Sequence, residues 1–348
     1  TNHKAFSSDK TITIGDADPD FEVPMFIAMD QPKHDVQRKV VTPAVAPVNL
    51  AKLETIIRTR VCTILDSLPV GETFDWVDKV SIELTTQMLA TLFDFPWEDR
   101  RKLTRWSDVA TASPDEVRPD GTIVVDEQRR AELIECLEYF MNLWSSRSEN
   151  YEGTDFISLL ATNPDTREMS QDPMHFLGNL ILLIVGGNDT TRNSMTGSVY
   201  ALNKFPSEYE KLKADPSLIP NMVSETIRWQ TPLAFMLRTV LEDVEMHGKT
   251  IHKGDQIAMW YVSGNRDERF WDRPNDFIID RENARRHISF GFGIHRCVGN
   301  RLAELQLQIL WQEIMGRFSH IEVLDEPSLT SGAFVKGYTW MPVICHPK

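Results

Sequence analysis

The chain has 348 residues, of which 41% are hydrophobic and 25% are charged, and its formal net charge is −14. This composition excludes a disordered chain and is typical of an ordered globular protein with a large core. The negative charge argues against a general nucleic-acid-binding protein, because phosphate binding requires a basic surface.

The chain offers no obvious domain boundary. It contains no Gly/Ser-rich or Pro-rich linker, charge block or internal repeat, so we predict a single domain over residues 1–348. We expect neither a signal peptide nor a transmembrane segment, because the most apolar run, residues 180–185, is far shorter than the ~20 residues that cross a bilayer. Four cysteines without CxxC spacing indicate reduced thiols, and the cytoplasm is the predicted location.

Helical periodicity predominates along the chain. Apolar residues recur at helical spacing and predict helices at residues 50–68, 76–92, 129–144, 173–205, 220–229 and 298–318. Strand-like runs are few and short, and they are residues 239–251 with a turn at His247 and Gly248, residues 255–262 and residues 337–346. The sequence therefore predicts a mainly α fold with small β-sheets.

The predicted helix at residues 173–205 is unusually long. Asp172 can cap its start, Pro173 suits its first turn, and Pro206 would end it. It would extend roughly 50 Å and cross the molecule. Its middle contains GGNDTT, residues 186–191, where each of two glycines costs about 1 kcal/mol of helix stability. Two hypotheses explain them: a tolerated kink or close helix crossing, or a groove where a ligand approaches the backbone beside an acid and a hydroxyl.

The sequence HISFGFGIHRCVGNRLAEL, residues 287–305, surrounds one cysteine with glycines and basic residues. Cys297 lies at or just before the N-terminus of the last predicted helix, where unpaired N–H groups and the helix dipole are expected to lower the pKa of the thiol. Gly291, Gly293 and Gly299 allow the loop to wrap closely around a ligand and expose backbone donors to the sulfur. This pattern indicates that the thiolate binds a metal or acts as a nucleophile.

Four interpretations of Cys297 follow from these residues. Structural zinc is a poor fit, since it needs four Cys or His ligands and only His287 and His295 lie nearby. A cysteine hydrolase needs a general base, and His295 in the same tight loop cannot be counted on to face the sulfur. An inert buried cysteine would explain none of the glycines. Haem iron with the thiolate as its axial ligand fits the pattern better than the other three.

The loop around Cys297 resembles the signature of a known family. The pattern Phe290-x-x-Gly293-x-His295-x-Cys297-x-Gly299 is similar to the haem-binding signature of the cytochrome P-450 monooxygenases. These fixed positions include a rare residue and two glycines, so they coincide by chance only on the order of once in 10⁴ chains of this size.

Two further motifs of this family stand upstream in the expected order. ETIR resembles the ExxR motif, with Glu225 and Arg228 on one helix face, and the resemblance implies a structural ion triad with Arg281. GGNDTT resembles the oxygen-binding groove of the family's long central helix. By itself ExxR is a weak signal, but three motifs in this order are a strong one.

The resemblance extends over about residues 30–342. It implies a P-450 fold, mainly α with small β-sheets, in which one long central helix lies over a buried haem. Members of the family usually carry a substantial stretch before the helix that contains His34, and only 33 residues precede it here. We therefore expect that the chain lacks the usual N-terminal segment and part of the substrate channel.

The resemblance implies a haem b cofactor and O₂ as co-substrate. His34 and Arg38 match the family's His-x-x-x-Arg pattern on one helix face, and arginine can bind a propionate carboxylate through two hydrogen bonds. The residues expected to bind the haem are Cys297 as the axial iron ligand, His34, Arg38, Arg238, His295, Phe290 and Gly291.

Asp189 and Thr190 match the acid–alcohol pair that relays protons to oxygen in this family. The alternative for Asp189 is a helix-surface carboxylate paired with a neighbour such as Arg192. The peroxide-using branch of the family lacks this pair and places an arginine and a proline there, so the resemblance implies O₂-dependent monooxygenation. A haem-thiolate sensor without turnover and a thiol hydrolase without haem are the alternatives from other functional classes.

The resemblance also predicts a substrate pocket by position. Its expected lining residues are Leu182, Val185, Gly186, Leu233, Ala234, Met236, Phe334 and Val335. All are apolar, which implies a lipophilic substrate. The sequences WQTPLAFMLRT and SGAFVKGYTW are similar to those of soluble bacterial hydroxylases that oxidise the terminal (omega) carbon of n-alkanes and fatty acids. A terpenoid or steroid is the alternative substrate.

Basic residues occur in the segments that the family fold brings to the thiolate side of the haem. They are Lys33, Arg38, Lys39, Arg285, Arg286, Arg296 and Arg301. If Arg38 turns inward to the haem, the others form a positive patch that would steer an acidic iron–sulfur ferredoxin, the expected partner together with its NAD(P)H-dependent reductase. Scattered solvated charges are the alternative.

Overall fold

One long helix organises the described structure. The computed structural model describes residues 2–9, 11–15, 20–112, 125–147 and 153–348. Its α-helices are α1 (Lys33–Val41), α2 (Pro47–Asp66), α3 (Glu83–Phe93), α4 (Arg101–Thr111), α5 (Asp126–Arg147), α6 (Phe156–Thr162), α7 (Pro173–Lys204), α8 (Pro206–Ala214), α9 (Ile219–Gln230), α10 (Tyr261–Gly264) and α11 (Asn300–Arg317). Its strands are β1 (Phe6–Ser7), β2 (Thr73–Asp75), β3 (Phe235–Val240), β4 (Val244–Met246), β5 (Lys249–Ile251), β6 (Gln256–Trp260), β7 (Phe318–Val323), β8 (Ser328–Leu329), β9 (Tyr338–Trp340) and β10 (Pro342–Pro347).

Every helix predicted from periodicity is present, and its ends lie within three residues of the predicted ones. They are α2, α5, α7, α9, α11, and α3 together with the π-helical turn Val77–Ile82 that precedes it. The Asp172 side chain accepts a hydrogen bond from the His175 N–H at 3.2 Å, which confirms it as the N-cap of α7. The predicted class, mainly α with small β-sheets, is confirmed.

The helices predicted from periodicity omit α1, α4, α6, α8 and α10. α6 has only seven residues, which is too short for a periodic pattern. α4 buries Leu103, Trp106 and Val109 at helical spacing, so the prediction missed a pattern that the sequence contains. The predicted strand over residues 255–262 ends earlier, at Trp260, because the chain turns into α10, where the Asn265 N–H donates to the Tyr261 carbonyl.

Four small antiparallel sheets flank the helices in the described residues, with strand orders β1-β3-β6, β2-β10-β7, β4-β5 and β8-β9. The predicted hairpin at residues 239–251 contains β4 and β5. Its two turn residues, His247 and Gly248, have φ of 52° and 73°. Positive φ at both central residues is the geometry that matches the twist of a two-residue hairpin.

The two adjacent glycines of α7 have different surroundings. α7 packs against α3, α4, α5, α9 and α11. A Cβ atom on Gly187 would lie 2.8 Å from Leu89 Cδ2 of α3, whereas a Cβ on Gly186 would meet no atom within 4 Å. The helix-crossing hypothesis therefore applies to Gly187, and the open-groove hypothesis applies to Gly186.

No single helix in the described ranges has both the length and the apolarity needed to cross a membrane. The segments Lys33–Val45 and Pro47–Asp66, bent by 46°, meet that test only as a pair and only by length and composition. α2 packs against α11 and buries Leu53, Ile57 and Val61 in the core. All four cysteines are unpaired.

Candidate functional site

A cavity of about 1860 Å³ lies between the middle of α7 and the loop that carries Cys297. β3, β6 and residues of the N-terminal segment complete its walls. Its volume exceeds the about 300–1,000 Å³ that is typical of a single ligand pocket. The cavity is therefore large enough for a bulky cofactor and a substrate together.

The Cys297 loop presents its thiol to this cavity. Cys297 is accessible and lines the cavity, and its N–H donates to the Phe290 carbonyl at 2.8 Å. Gly291 and Gly293 have φ of 66° and 75°, a left-handed conformation that favours glycine. The loop therefore holds a single sulfur atom at the cavity wall, before α11 begins at Asn300.

Burial raises the pKa of the Cys297 thiol, whereas the N–H groups of Gly299 and Asn300 and the charges of Arg38 and Arg296 act to lower it. This direction is opposite to the expected lowering of the pKa, because the protein around the cavity wall removes more hydration from the thiol than the N–H groups at the helix N-terminus replace. The same donors would stabilise a thiolate once a bound cation shares its charge.

Arg38, Arg238 and His295 line the Cys297 side of the cavity, whereas His34 is buried next to His295 and does not line it. The His34 and His295 rings lie 4.2 Å apart, and three of their nitrogens, His34 Nε2 and both of His295, are buried without a hydrogen-bond partner among the described residues. Burial lowers the pKa of His295 to about 3. Arg38 donates to the Arg296 carbonyl, and Arg238 donates to the Leu237 carbonyl at 2.6 Å.

Buried polar atoms without partners are rare in folded proteins and often mark the place of a ligand or ion. Two carboxylates on the edge of a planar cofactor would supply acceptors for the free N–H groups of Arg38, Arg238 and His295. His34 Nδ1 already donates to the Asp35 carboxylate at 2.7 Å, so His34 Nε2 would donate to a cofactor carboxylate only from a doubly protonated ring. The cavity, its single thiol and these donors therefore fit a haem.

The structure brings Glu225, Arg228 and Arg281 together, as predicted. Glu225 is fully buried and accepts from Arg228 at 2.7 and 2.8 Å and from Arg281 Nε at 3.0 and 3.1 Å. Arg228 also donates to the carbonyls of Asn265, Pro274 and Asp276. The triad thereby fixes α9 against the segment that leads into the Cys297 loop.

Thr190 and Asp189 lie on different faces of α7. Thr190 lines the cavity, and its hydroxyl donates to the Gly186 carbonyl at 3.1 Å. Asp189 is fully buried and pairs with Arg192 at 3.2 Å, so it is neither a surface carboxylate nor part of the cavity wall. Burial raises the pKa of Asp189, although the Arg192 guanidinium opposes that rise.

Three residues of α4 that the sequence did not suggest hold this acid. The hydroxyls of Ser107 and Thr111 each donate to the Asp189 carboxylate at 3.1 Å, and Asp108 pairs with Arg192 at 2.7 Å. A serine, an aspartate and a threonine on an unpredicted helix give no signal of this role, because only the packing of α4 on α7 creates it.

Most of the residues predicted to contact the substrate line the cavity. Those that line it are Leu182, Val185, Gly186, Leu233, Met236, Phe334 and Val335. The predicted haem contacts Phe290 and Gly291 line it as well. Ala234 does not line it, because its side chain is buried in a cluster with Phe235 and Leu237 while its N–H donates to the Phe334 carbonyl. Phe235 lines the cavity instead.

Helices outside the predicted pocket also contribute to the cavity wall. α3 provides Met88, Leu89 and Leu92, and α4 and α5 provide Ala110 and Leu133. Charged residues line the cavity as well, and on this side they are Asp126, Arg129 and Arg130 of α5 together with Glu22.

Comparison with known proteins gives consistent matches. The family model for cytochrome P-450 matches residues 125–336. Linalool 8-monooxygenase of Pseudomonas putida is 33% identical over 93% of this chain and 78% of its own length. Methyl-branched lipid omega-hydroxylase of Mycobacterium tuberculosis strain H37Rv is 29% identical over 97% of this chain and 79% of its own. The solved structure of CYP153D17 from Sphingomonas sp. PAMC 26605 has 48% identity and a TM-score of 0.89, and the match covers 98% of this chain and 85% of that one.

Proposed function

The chain belongs to the cytochrome P-450 family of haem-dependent monooxygenases, which use haem b and O₂, and from this premise we propose that it hydroxylates the terminal carbon of n-alkanes or fatty acids. The single observation that carries the proposal is the deep cavity above Cys297, whose walls around Thr190 are aliphatic and aromatic. Such walls select a long apolar chain by shape.

The relatives support oxidation at the end of a chain. The name of the mycobacterial relative specifies omega-hydroxylation of a methyl-branched lipid, and this relative aligns with nearly the whole chain. A terpenoid is the second candidate substrate, because the Pseudomonas relative is named for linalool. Both substrates are lipophilic and fit apolar walls.

We assign Cys297 as the axial ligand of the haem iron and His34, Arg38, Arg238 and His295 as the partners of its propionates. The unpartnered nitrogens and the thiol at the cavity wall support this assignment. When bound, the haem supplies the oxygen chemistry that a thiolate ligand favours. Membership in the family supports this role of Cys297 over the zinc, hydrolase and inert-thiol interpretations.

Thr190 and Asp189 are assigned to proton delivery in two positions. The Thr190 hydroxyl stands at the cavity wall beside Gly186, where it can orient water or oxygen. Asp189, the preceding residue, is buried on another face of α7. Its carboxylate accepts hydrogen bonds from two hydroxyls of α4 and pairs with Arg192. A proton would therefore reach Thr190 from a buried acid and not directly from bulk solvent.

We propose that the electron donor is an iron–sulfur ferredoxin that docks on the Cys297 side, in the cytoplasm. Arg285, Arg296 and Arg301 are exposed, and all three are close enough to Glu304 to lower the pKa of its carboxyl, although burial raises that pKa overall. These arginines form a local basic surface on an acidic protein, which would attract an acidic partner.

The substrate proposal is tested by titrating the haem-loaded protein with n-alkanes, fatty acids, terpenes and steroids while following the spin-state shift of the haem. Binding of linear chains in preference to terpenes and steroids, with omega-hydroxylated products under NADH, ferredoxin and reductase, is the expected result. Preferential binding and oxidation of linalool-like compounds would establish the second candidate instead.

A further inference from the structure

The part of the cavity wall formed by α4 and α5 carries two cations that lie away from the Cys297 side. Arg129 and Arg130 line the cavity there, and the apolar side chain of Leu133 follows them one helical turn later. The other cationic arginines of the wall, Arg38 and Arg238, lie on the Cys297 side, where the proposed cofactor carboxylates would use them.

Arg129 is half-buried and has no ion pair among the described residues. Its Nη2 donates to the carbonyl of Ala110 at 2.8 Å, which fixes the guanidinium against the last turn of α4. A guanidinium has five N–H donors, so most of them remain for a ligand. Glu22 and Asp126 also line the cavity, but both are exposed and neither pairs with Arg129.

The position of Arg129 relative to the reacting centre follows from α4. Ala110 is next to Thr111, whose hydroxyl binds Asp189, and Asp189 is next to Thr190 on the cavity wall. Arg129 therefore belongs to the same cavity as Thr190 but to the wall formed by α4 and α5. A partly desolvated cation in a mainly apolar cavity is costly unless an anion pairs with it.

We propose that Arg129 binds the carboxylate of a fatty acid and so makes the cavity selective for fatty acids over alkanes. The inference rests on the proposed function and deepens it. With its carboxylate on Arg129, the fatty acid would extend its methyl end to the groove at Gly186 and Thr190. The anchor would therefore also explain why the terminal carbon is oxidised. Arg130 differs from Arg129 because its guanidinium lies over the Phe21 ring at 5.8 Å and has a further contact.

The test uses the haem-loaded protein and three ligands of equal chain length, dodecanoic acid, methyl dodecanoate and dodecane, at pH 7.5. The acid is ionised at this pH, whereas the ester and the alkane are neutral. Dissociation constants from the spin-state shift are compared for wild type, Arg129→Gln, Arg129→Lys and Arg130→Gln. Arg130→Gln is the matched control, since it removes the same charge from the neighbouring position.

Arg129→Gln is expected to weaken dodecanoate binding about tenfold, which corresponds to the loss of one charge-assisted contact. It should change ester and dodecane binding by less than about twofold. Arg129→Lys should retain part of the affinity, and Arg130→Gln should change dodecanoate binding by less than about threefold. Unchanged dodecanoate binding in Arg129→Gln would overturn the proposal. An equal loss for all three ligands, or an equal loss in Arg130→Gln, would also overturn it.

The wild-type protein separates this inference from the proposed function. Binding of dodecane and the ester without binding of dodecanoate would refute the anchor and leave terminal hydroxylation of alkanes in place. Binding of none of the three ligands would refute both.

Discussion

Replacing the two adjacent glycines of α7 one at a time should separate a binding role from a packing role. Alanine is about 1 kcal/mol better than glycine inside a helix. A methyl group on Gly186 would meet no atom within 4 Å, so Gly186→Ala should stabilise the protein by about that amount. On Gly187 the methyl would lie 2.8 Å from Leu89 Cδ2, and overpacking typically costs about 1–3 kcal/mol. Gly187→Ala should therefore be neutral or destabilise the protein by up to about 2 kcal/mol.

For ligand binding, Gly186→Ala should be the more damaging of the two substitutions. Gly186 lines the cavity, and its carbonyl accepts the Thr190 hydroxyl. A methyl there would occupy substrate space beside Thr190, and we expect substrate affinity to fall about three- to tenfold, which corresponds to about 1 kcal/mol of strain. Gly187 also lines the cavity, but its methyl would point at Leu89 of α3, so Gly187→Ala should weaken substrate binding less.

The assays are thermal unfolding of the haem-loaded variants by circular dichroism and substrate titration by spin-state shift. We expect the Tm of Gly186→Ala to rise by about 2 °C and that of Gly187→Ala to fall or stay unchanged. Leu89→Ala combined with Gly187→Ala is the control, since it removes the clashing methyl and should show coupling between the sites. A lower Tm for Gly186→Ala, or wild-type substrate affinity in that variant, would refute the assignment of the two glycines.

Three further predictions concern the proposed haem, proton and electron sites. Cys297→Ser should abolish the thiolate-type spectrum of the reduced CO complex, because an alkoxide or water is a weaker electron donor, and a retained spectrum would contradict axial ligation. Thr190→Ala should keep the haem but divert electrons from NADH to peroxide, measured as the ratio of product to NADH consumed, and unchanged coupling would remove Thr190 from proton delivery. Arg285→Glu with Arg296→Glu should slow ferredoxin-driven turnover with substrate binding intact, and the wild-type rate should fall as salt rises, because exposed charges are screened beyond about 8 Å at physiological ionic strength. Normal turnover in the double variant and a wild-type rate that ignores salt would place the donor elsewhere.

Local sequence determined the features that depend on neighbouring residues. The periodicity of apolar residues predicted the long helices, because the spacing of apolar residues within one stretch is enough to indicate an amphipathic helix. The Cys297 loop and the Glu225–Arg228 pair were also visible, since close spacing on one loop or one helix face leaves little freedom in how the side chains meet. The family resemblance added Arg281, which the structure places within 3.1 Å of Glu225.

Contacts between distant segments were decided only by the tertiary structure. Both glycines line the cavity, but which of them also packs against α3 depends on the rotation of α7, which its own sequence does not determine. The same holds for Asp189, whose partners Ser107 and Thr111 come from a separate helix, α4. The direction of the pKa shift of Cys297 follows from burial, and the position of Arg129 at the cavity wall follows from the packing of α5. Burial is a property of the packed chain, because it depends on which elements come together and not on the residue alone.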